Sequence, residues 1–426
     1  MKLNVVELFA GVGGFRLGLE GFNGKSCTSG YKKKLDNPIP FKVVYSNQYE
    51  PSTKRQHANE IYEQRFGSAG HFGESIEELT VKDIQEHLRV NNIAGNIDVL
   101  VGGFPCQDYS VATTLRNSKG LKGNKGILWF QIERLLSEFE SKPKFLILEN
   151  VDRLLKSPAK QRGRDFAVML KHLEALGYVV EWKVINSAEW GFPQRRKRVF
   201  ILAYLAESVS KKYLGLLDIA FPALQNTELA SFDLLGDEAE LSKTFGVDKK
   251  VSDFKVDGHM INGNVVTQKA KYLDTKGKVL GDVIERDIKM VPKEFILSAE
   301  ENKLFEALKG GGTKIRTTSA GHSYKYSEGS MSYPDGLEKP SRTIITGEGG
   351  KTPSRFKHVI QHGNIRRRLM PVELERLNGF PDGWTEGDSI THTKRAFFMG
   401  NALVIGVVEM IGATISTWLH EHSKSD

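Results

Sequence analysis

Six largely apolar segments, Asn4–Phe9, Lys42–Ser46, Ile97–Val101, Lys144–Leu148, Tyr178–Ile185 and Val199–Ala203, punctuate the first 204 residues. Each is short and rich in Val, Ile, Leu and Phe, the composition of a strand covered on both faces. Between them lie Ser52–Phe66, Ile76–Val90, Ile127–Glu138 and Arg164–Leu176, which read as helices. Strands separated by helices can pair in parallel, so this part reads as an α/β fold with a doubly wound, mainly parallel sheet. Ligand sites in such sheets lie outside the carboxyl ends of the strands, and two strand ends stand out. The first strand runs into Ala10-Gly11-Val12-Gly13-Gly14-Phe15 and then a helix, so glycines let backbone approach a ligand beside free helix N–H groups. The spacing is not that of a dinucleotide motif, which leaves a nucleoside-bearing cofactor or a plain tight turn. The third strand breaks at Gly102-Gly103 and continues into Phe104-Pro105-Cys106-Gln107-Asp108-Tyr109-Ser110. Proline stiffens the turn that carries the thiol. Cys106 is either a nucleophile or a small buried hydrophobe, and this segment alone leaves both open.

Bulk composition narrows the class. The chain has 426 residues, too many for one ordinary core, so two domains are expected. Two cysteines exclude a disulfide framework and fit a reducing cytosol. No apolar run looks long enough to span a membrane, and the N-terminus lacks a signal-peptide core, so a cytoplasmic protein with no membrane partner is expected. The net charge of +8 is compatible with a polyanionic partner without requiring one. From 205 to about 366 the texture changes to short apolar runs and frequent glycine turns, which reads as a smaller, irregular second domain. Regularity returns with Pro371–Asn378 and a final helix from about Leu403 to His420, whose apolar stripe reads as core. A polar, glycine-spaced loop, 111–125, reads as a mobile active-site loop. Glu149 and the cluster Gln194-Arg195-Arg196-Lys197-Arg198 stand at further strand ends. Thiol, carboxyl and guanidinium there would suit a planar, hydrogen-bonding electrophile.

Taken in chain order, Phe9 to Phe15, Gly103 to Gln107, Glu149-Asn150-Val151, Gln194 to Arg198, Arg367 to Pro381 and Gly400-Asn401 resemble the motifs of bacterial DNA (cytosine-5) methyltransferases of restriction-modification type. The resemblance covers about the first 204 and the last 60 residues. It implies a Rossmann-like fold that uses S-adenosylmethionine, with 1–204 and 367–426 forming the catalytic domain and 205–366 the target-recognition domain. It also implies a catalytic set of Cys106, Glu149, Arg196 and Arg198, with Cys106 adding to carbon 6 of a flipped-out cytosine. Cofactor contacts are implied for Phe9, Ala10, Gly11, Gly13, Gly14, Gln48, Tyr49, Ser75, Ile76, Pro105, Leu128, Asn401 and Ala402. Gln48 stands where an acid usually meets the ribose, and Ser75-Ile76 where an acid usually meets the adenine. Gln107 and Ser110 are implied to touch DNA, and no metal is expected. The partner is duplex DNA, with a restriction endonuclease acting independently. A monomer in the bacterial cytoplasm, associated with the nucleoid, is expected. Rival readings are a tRNA cytosine-5 methyltransferase, a DNA-binding protein without turnover, and a small-molecule methyltransferase. The long middle segment argues against the first and third, and intact Cys106, Glu149 and Arg198 against the second.

Overall fold

The computed structural model describes residues 2–24, 32–104, 128–209, 213–272, 276–317 and 323–422. Its strands are β1 (Leu3–Leu8), β2 (Phe41–Asn47), β3 (His71–Phe72), β4 (Val99–Gly103), β5 (Phe145–Val151), β6 (Tyr178–Asn186), β7 (Lys197–Leu205), β8 (Gln225–Asp233), β9 (Asp257–Ile261), β10 (Asn264–Lys271), β11 (Gly312–Thr317), β12 (Ser323–Glu328), β13 (Val359–His362) and β14 (Ile365–Arg368). The α-helices are α1 (Gly14–Glu20), α2 (His57–Phe66), α3 (Val81–Val90), α4 (Leu128–Glu138), α5 (Arg164–Ala175), α6 (Leu216–Ala220), α7 (Glu238–Thr244), α8 (Ala299–Lys309), α9 (Pro371–Asn378), α10 (His392–Asn401) and α11 (Ile405–His422).

One ten-stranded sheet runs β3-β2-β1-β4-β5-β7-β6-β9-β10-β8. It is parallel from β3 to β5 and antiparallel from β5 onward. Helix α5 carries β5 over to a parallel β6. The link from β6 to β7 contains only a single 3₁₀ turn, too little for a crossover, so β7 slots back antiparallel between them. Buried clusters line both faces. One includes Val5, Phe15, Leu403 and Val408, and the other Val6, Ile84, Trp129 and Phe166. Strand order reverses between β1 and β4, so the glycine turn after β1 and the chain leaving β4 at Gly103–Phe104 depart from the sheet at the same switch point.

Three expectations need correction. The sheet does not end near 205. Polar strands β8 to β10 extend it, and β8 escaped notice because it is polar and largely exposed and a bulge sits at Glu228, φ 52°. Helix α2 starts at His57, since Gln56 is tied back to the Glu50 backbone and the Thr53 carbonyl. Helix α3 starts at Val81 behind a Thr80–Asp83 capping box. The expectation about membrane-length runs also needs amending. The stretch His392–His422 is apolar enough by composition, but 61% of its most apolar window is buried inside the protein, as a core helix requires.

Candidate active site

The glycine turn is built from β1 outward. Phe9 takes φ 55°, Gly11 57° and Gly13 86°, and Ala10 N–H donates to the Asn47 carbonyl at 3.0 Å. The two glycines serve different ends. A Cβ at Gly13 would fall 2.3 Å from the Phe66 ring, whereas one at Gly11 would meet nothing within 4 Å. Gly13 is a packing requirement, and Gly11 faces open space where a ligand can approach. Gly11 N–H donates to Gln48 Oε1 at 2.7 Å, so the glutamine at the end of β2 is locked onto the turn. Behind it sits Glu7, fully buried, accepting from the Tyr62 hydroxyl at 2.7 Å and the Arg16 backbone N–H at 3.3 Å. Burial pushes its carboxyl up to about 7. Sequence reading passed over Glu7, although an acid inside Val5-Val6-Glu7-Leu8 was itself a signal.

At the neighbouring strand end, β5 places Glu149 over β4. A Cβ added at Gly103 would meet Glu149 Oε2 at 3.3 Å. Arg198, opposite Val151 on β7, brings its Nε to 2.9 Å from Glu149 Oε1. The approach is off the hydrogen-bond line, so among the described residues Oε1 is a buried acceptor with unused capacity. Asn150 Nδ2 donates to the Phe104 carbonyl at 2.8 Å, fixing the chain where it leaves β4. Arg196 lies on the same edge but is 1% exposed, and its Nη groups donate to the carbonyls of Ile344 (3.5 Å) and Gly400 (3.0 Å). Burial, aided by Arg198, pulls its guanidinium down to about 9, and its Nε has no hydrogen bond among the described residues. Gln194, not singled out as a site residue, is buried and joins three segments. It donates to Asn378 Oδ1 at 2.8 Å and accepts from Ile344 N–H at 3.1 Å.

The C-terminal segment closes the site from behind. Trp384 Nε1 donates to the Val12 carbonyl inside the glycine turn at 2.8 Å, and Arg65 grips the carbonyls of Trp384, Gly383 and Glu386. Leu403 lies 3.3 Å from where a Gly14 Cβ would stand. Asn401, exposed, therefore sits between the Arg196–Gly400 bond and the start of α1, with Ala402 N–H bonded back to Phe398. Phe9 and Leu128, both partly exposed, rim the core cluster that contains Ile76 and Phe104. Ser75 is half-buried, and Asn47 Nδ2 holds the backbone beside it through the Glu74 carbonyl at 2.9 Å. Tyr49 is 41% exposed. Pro105, Cys106, Gln107 and Ser110, with the loop 111–125, lie outside the described residues. Among the described residues no cluster of three or more His, Cys, Asp or Glu has metal-binding geometry.

A family model described as C-5 cytosine-specific DNA methylase matches residues 3–417. Type II methyltransferase M.Sau3AI of Staphylococcus aureus is 42% identical over 429 residues, covering 97% of this chain and 95% of that protein. Type II methyltransferase M.HhaI of Haemophilus parahaemolyticus is 25% identical over 418 residues, covering 98% and 95%. The solved structure of S. pombe Dnmt2 methyltransferase shares the fold, with a TM-score of 0.57 over 99% of both chains at 16% identity. With a switch-point glycine turn beside a strand-end carboxylate and arginine, and a match along nearly its whole length, this chain belongs to the C-5 cytosine-specific DNA methylase family.

Proposed function

We propose that the chain methylates carbon 5 of a cytosine flipped out of one short duplex sequence, through a covalent adduct with Cys106. The observation that carries this reading is the Glu149–Arg198 pair, its carboxylate largely buried and its guanidinium half-buried, set over Gly103, three residues before Cys106. Carbon 5 of cytosine is a poor nucleophile. Addition of the Cys106 thiolate to carbon 6 forms a C–S bond and sends the ring electrons toward carbon 5. Glu149 offers its spare acceptor to the ring's nitrogen edge, where a shared proton draws charge into the ring as the thiolate adds. Arg198 orients Glu149, and Arg196 acts as a positioning residue through Gly400 and Ile344. When bound, S-adenosylmethionine supplies the methyl group. Loss of the carbon 5 proton then expels the thiolate and restores the ring. Removing the base from its stack costs a few kcal/mol, and that cost favours a site which seals around it.

The cofactor reading rests on fit. The open space above Gly11, the partly exposed Phe9 ring, exposed Tyr49 and the Leu128 rim suit an adenosine bearing an amino-acid tail. Gln48, Ser75, Ile76, Asn401 and Ala402 complete its wall. Residues from 205 to 366 that leave the sheet form the target-recognition part, and Gln107 and Ser110 meet the DNA. The protein acts as a monomer in the bacterial cytoplasm, at the nucleoid, and shields host DNA from a separately acting restriction endonuclease. Bisulfite sequencing of DNA from cells expressing the chain, beside Cys106→Ser, tests this. Unconverted cytosines at one recurring sequence, absent from the variant, are expected. Protection that persists in Cys106→Ser would sink the covalent mechanism.

A further inference from the structure

Strands β11 and β12 form a two-stranded ribbon that, among the described residues, is hydrogen-bonded to no other strand. On one face the register pairs Thr313 with Ser327, Ile315 with Lys325 and Thr317 with Ser323, and all six are exposed. Ile315 is 78% exposed on a strand that would normally turn such a residue inward. The hydroxyls bond across the strands, Thr313 to Ser327 at 3.3 Å and Thr317 to Ser323 at 3.0 Å. The face is thus level, studded with small donors and acceptors around one aliphatic knob and one ammonium.

The ribbon's root, by contrast, is fixed. A Cβ at Gly311 would strike the backbone of residues 328–330 at 2.7–2.9 Å, and Arg355 Nη2 donates to the Gly329 carbonyl at 2.6 Å while ion-pairing Glu328. Met331 N–H donates to the Lys309 carbonyl at 2.7 Å. Lys309, fully buried, holds Asp335 at 2.7 Å, and Asp335 holds Arg342 at 2.9 Å. From Arg342 the chain passes straight to Thr343 and Ile344, which bond Arg195 and, through Ile344, Gln194 and Arg196. A rigid chain of contacts therefore joins the ribbon to the catalytic edge.

We propose that this ribbon is the element that reads the DNA sequence, laid into the major groove with Ile315 and Lys325 at its centre. The inference rests on the methyltransferase reading above. Charge and size select the occupant. Of the basic residues from 312 to 328, Lys325 lies on this face and Lys314 and Arg316 hold register positions on the other, so the ribbon is basic as a whole, and the acid Glu328 is held by Arg355. Six-residue strands span about 20 Å, and the major groove, about 12 Å wide, admits a two-stranded ribbon. An aliphatic knob suits a thymine methyl, and an ammonium suits the acceptors of guanine.

The test compares the full-length chain with Ile315→Ala, Lys325→Ala and Ile315→Asp, using a duplex carrying the sequence mapped by bisulfite and a scrambled duplex. Each alanine variant is expected to lose roughly 10- to 100-fold in kcat/KM on the mapped duplex. Binding to the scrambled duplex should fall far less for Ile315→Ala, and S-adenosylmethionine binding and Tm should match the parent. If the parent methylates its sequence and all three variants match it within twofold, the ribbon is not the reader. If the parent forms a dimer that Ile315→Asp splits with methylation intact, the ribbon's partner is a second copy, and the proposal is overturned. A parent that methylates no duplex overturns the underlying function as well, and is told apart by that first measurement.

Discussion

Two regions of the molecule bury carboxyl groups, and they do so in opposite ways. In the sheet, Glu7 accepts from a tyrosine hydroxyl and a backbone N–H, and Glu181 from the Tyr204 hydroxyl and the N–H groups of Leu216 and Leu217. Burial pushes both up to about 7. In the turn-rich region, Asp335 is gripped by Lys309 and Arg342, and its carboxyl is held down to about 2 against the cost of its burial. Glu348, also buried, accepts from both His358 N–H and the imidazole and is likewise lowered. The sheet has register and two large apolar clusters to hold it, so Glu7 and Glu181 can stay near neutrality. Asp257 on β9 is a charge-paired exception, meeting the buried Lys183 of β6. The third cluster, which joins the turn-rich region to Met370, has only Val291, Phe295 and Met370 as buried members. There the loops, whose Leu280, Val283, Ile344 and Ile360 join the first of the two large clusters, are fixed by charge as well.

The largest effect should come from Glu149, the carboxylate proposed to face the reaction. Glu149→Ala is expected to lower kcat by roughly a thousandfold with Tm nearly unchanged, as measured by methyl transfer to the mapped duplex and by thermal melting. A variant that melts much earlier would place Glu149 with the scaffold instead. Next, Asp335→Asn strands Lys309 and Arg342 and should cost about 3–5 kcal/mol in urea unfolding. Glu181→Gln at pH 8 should be nearly neutral, and equal costs for the two would erase the contrast between the regions. The third test is pH. A folded pKa raised from 4.5 to about 7 means that the native state holds the Glu7 proton longer than the unfolded chain does. Its contribution is therefore fully present below about 4.5 and is lost as pH rises through 7, at most about 3 kcal/mol. Asp335 has the reverse sign, present above its unfolded value of 3.8 and lost as pH falls toward 2. Glu7→Gln should flatten the unfolding free energy between pH 5 and 7 relative to the parent. An unchanged slope there would show that Glu7 is ionised in the native state.

The legible parts are those where local pattern and tertiary role coincide. Val99 to Val101 are apolar because both faces of β4 are covered, and Gly11 and Gly13 are glycines because of positive φ and a crowding phenyl ring. What escaped depends on which partner a side chain finds. Arg196 and Arg198 lie two positions apart in one basic run, yet one ends against Gly400 and the other against Glu149. Nothing in that run distinguishes them. Trp384 reaches Val12 across more than 370 residues, and no local spacing encodes that. Strands β8 to β10 join the sheet through backbone ladders, with side chains too polar for an apolar-run criterion.

The smallest effect tests how the C-terminal helix meets the glycine turn. Gly18 lies within α1, and a Cβ there would stand 2.7 Å from Val408 Cβ and 3.2 Å from the Ile405 carbonyl. Two opposed terms act on Gly18→Ala. Helix propensity favours alanine by about 1 kcal/mol, while overpacking against a branched side chain and a backbone atom costs about 1–3 kcal/mol. A net loss of about 1 kcal/mol is expected in denaturant unfolding. The displacement of α11 should also move Leu403 and Asn401, which precede it, so S-adenosylmethionine affinity should weaken several-fold in calorimetry. Val408→Ala in the same chain should restore both only in part, since it removes Val408 Cγ1, 2.8 Å from the new methyl, but keeps the Cβ at 2.7 Å. If Gly18→Ala instead stabilises the protein and leaves affinity intact, α1 and α11 have slack between them, and the sheet region owes less to close packing than its contrast with the charge-held region implies.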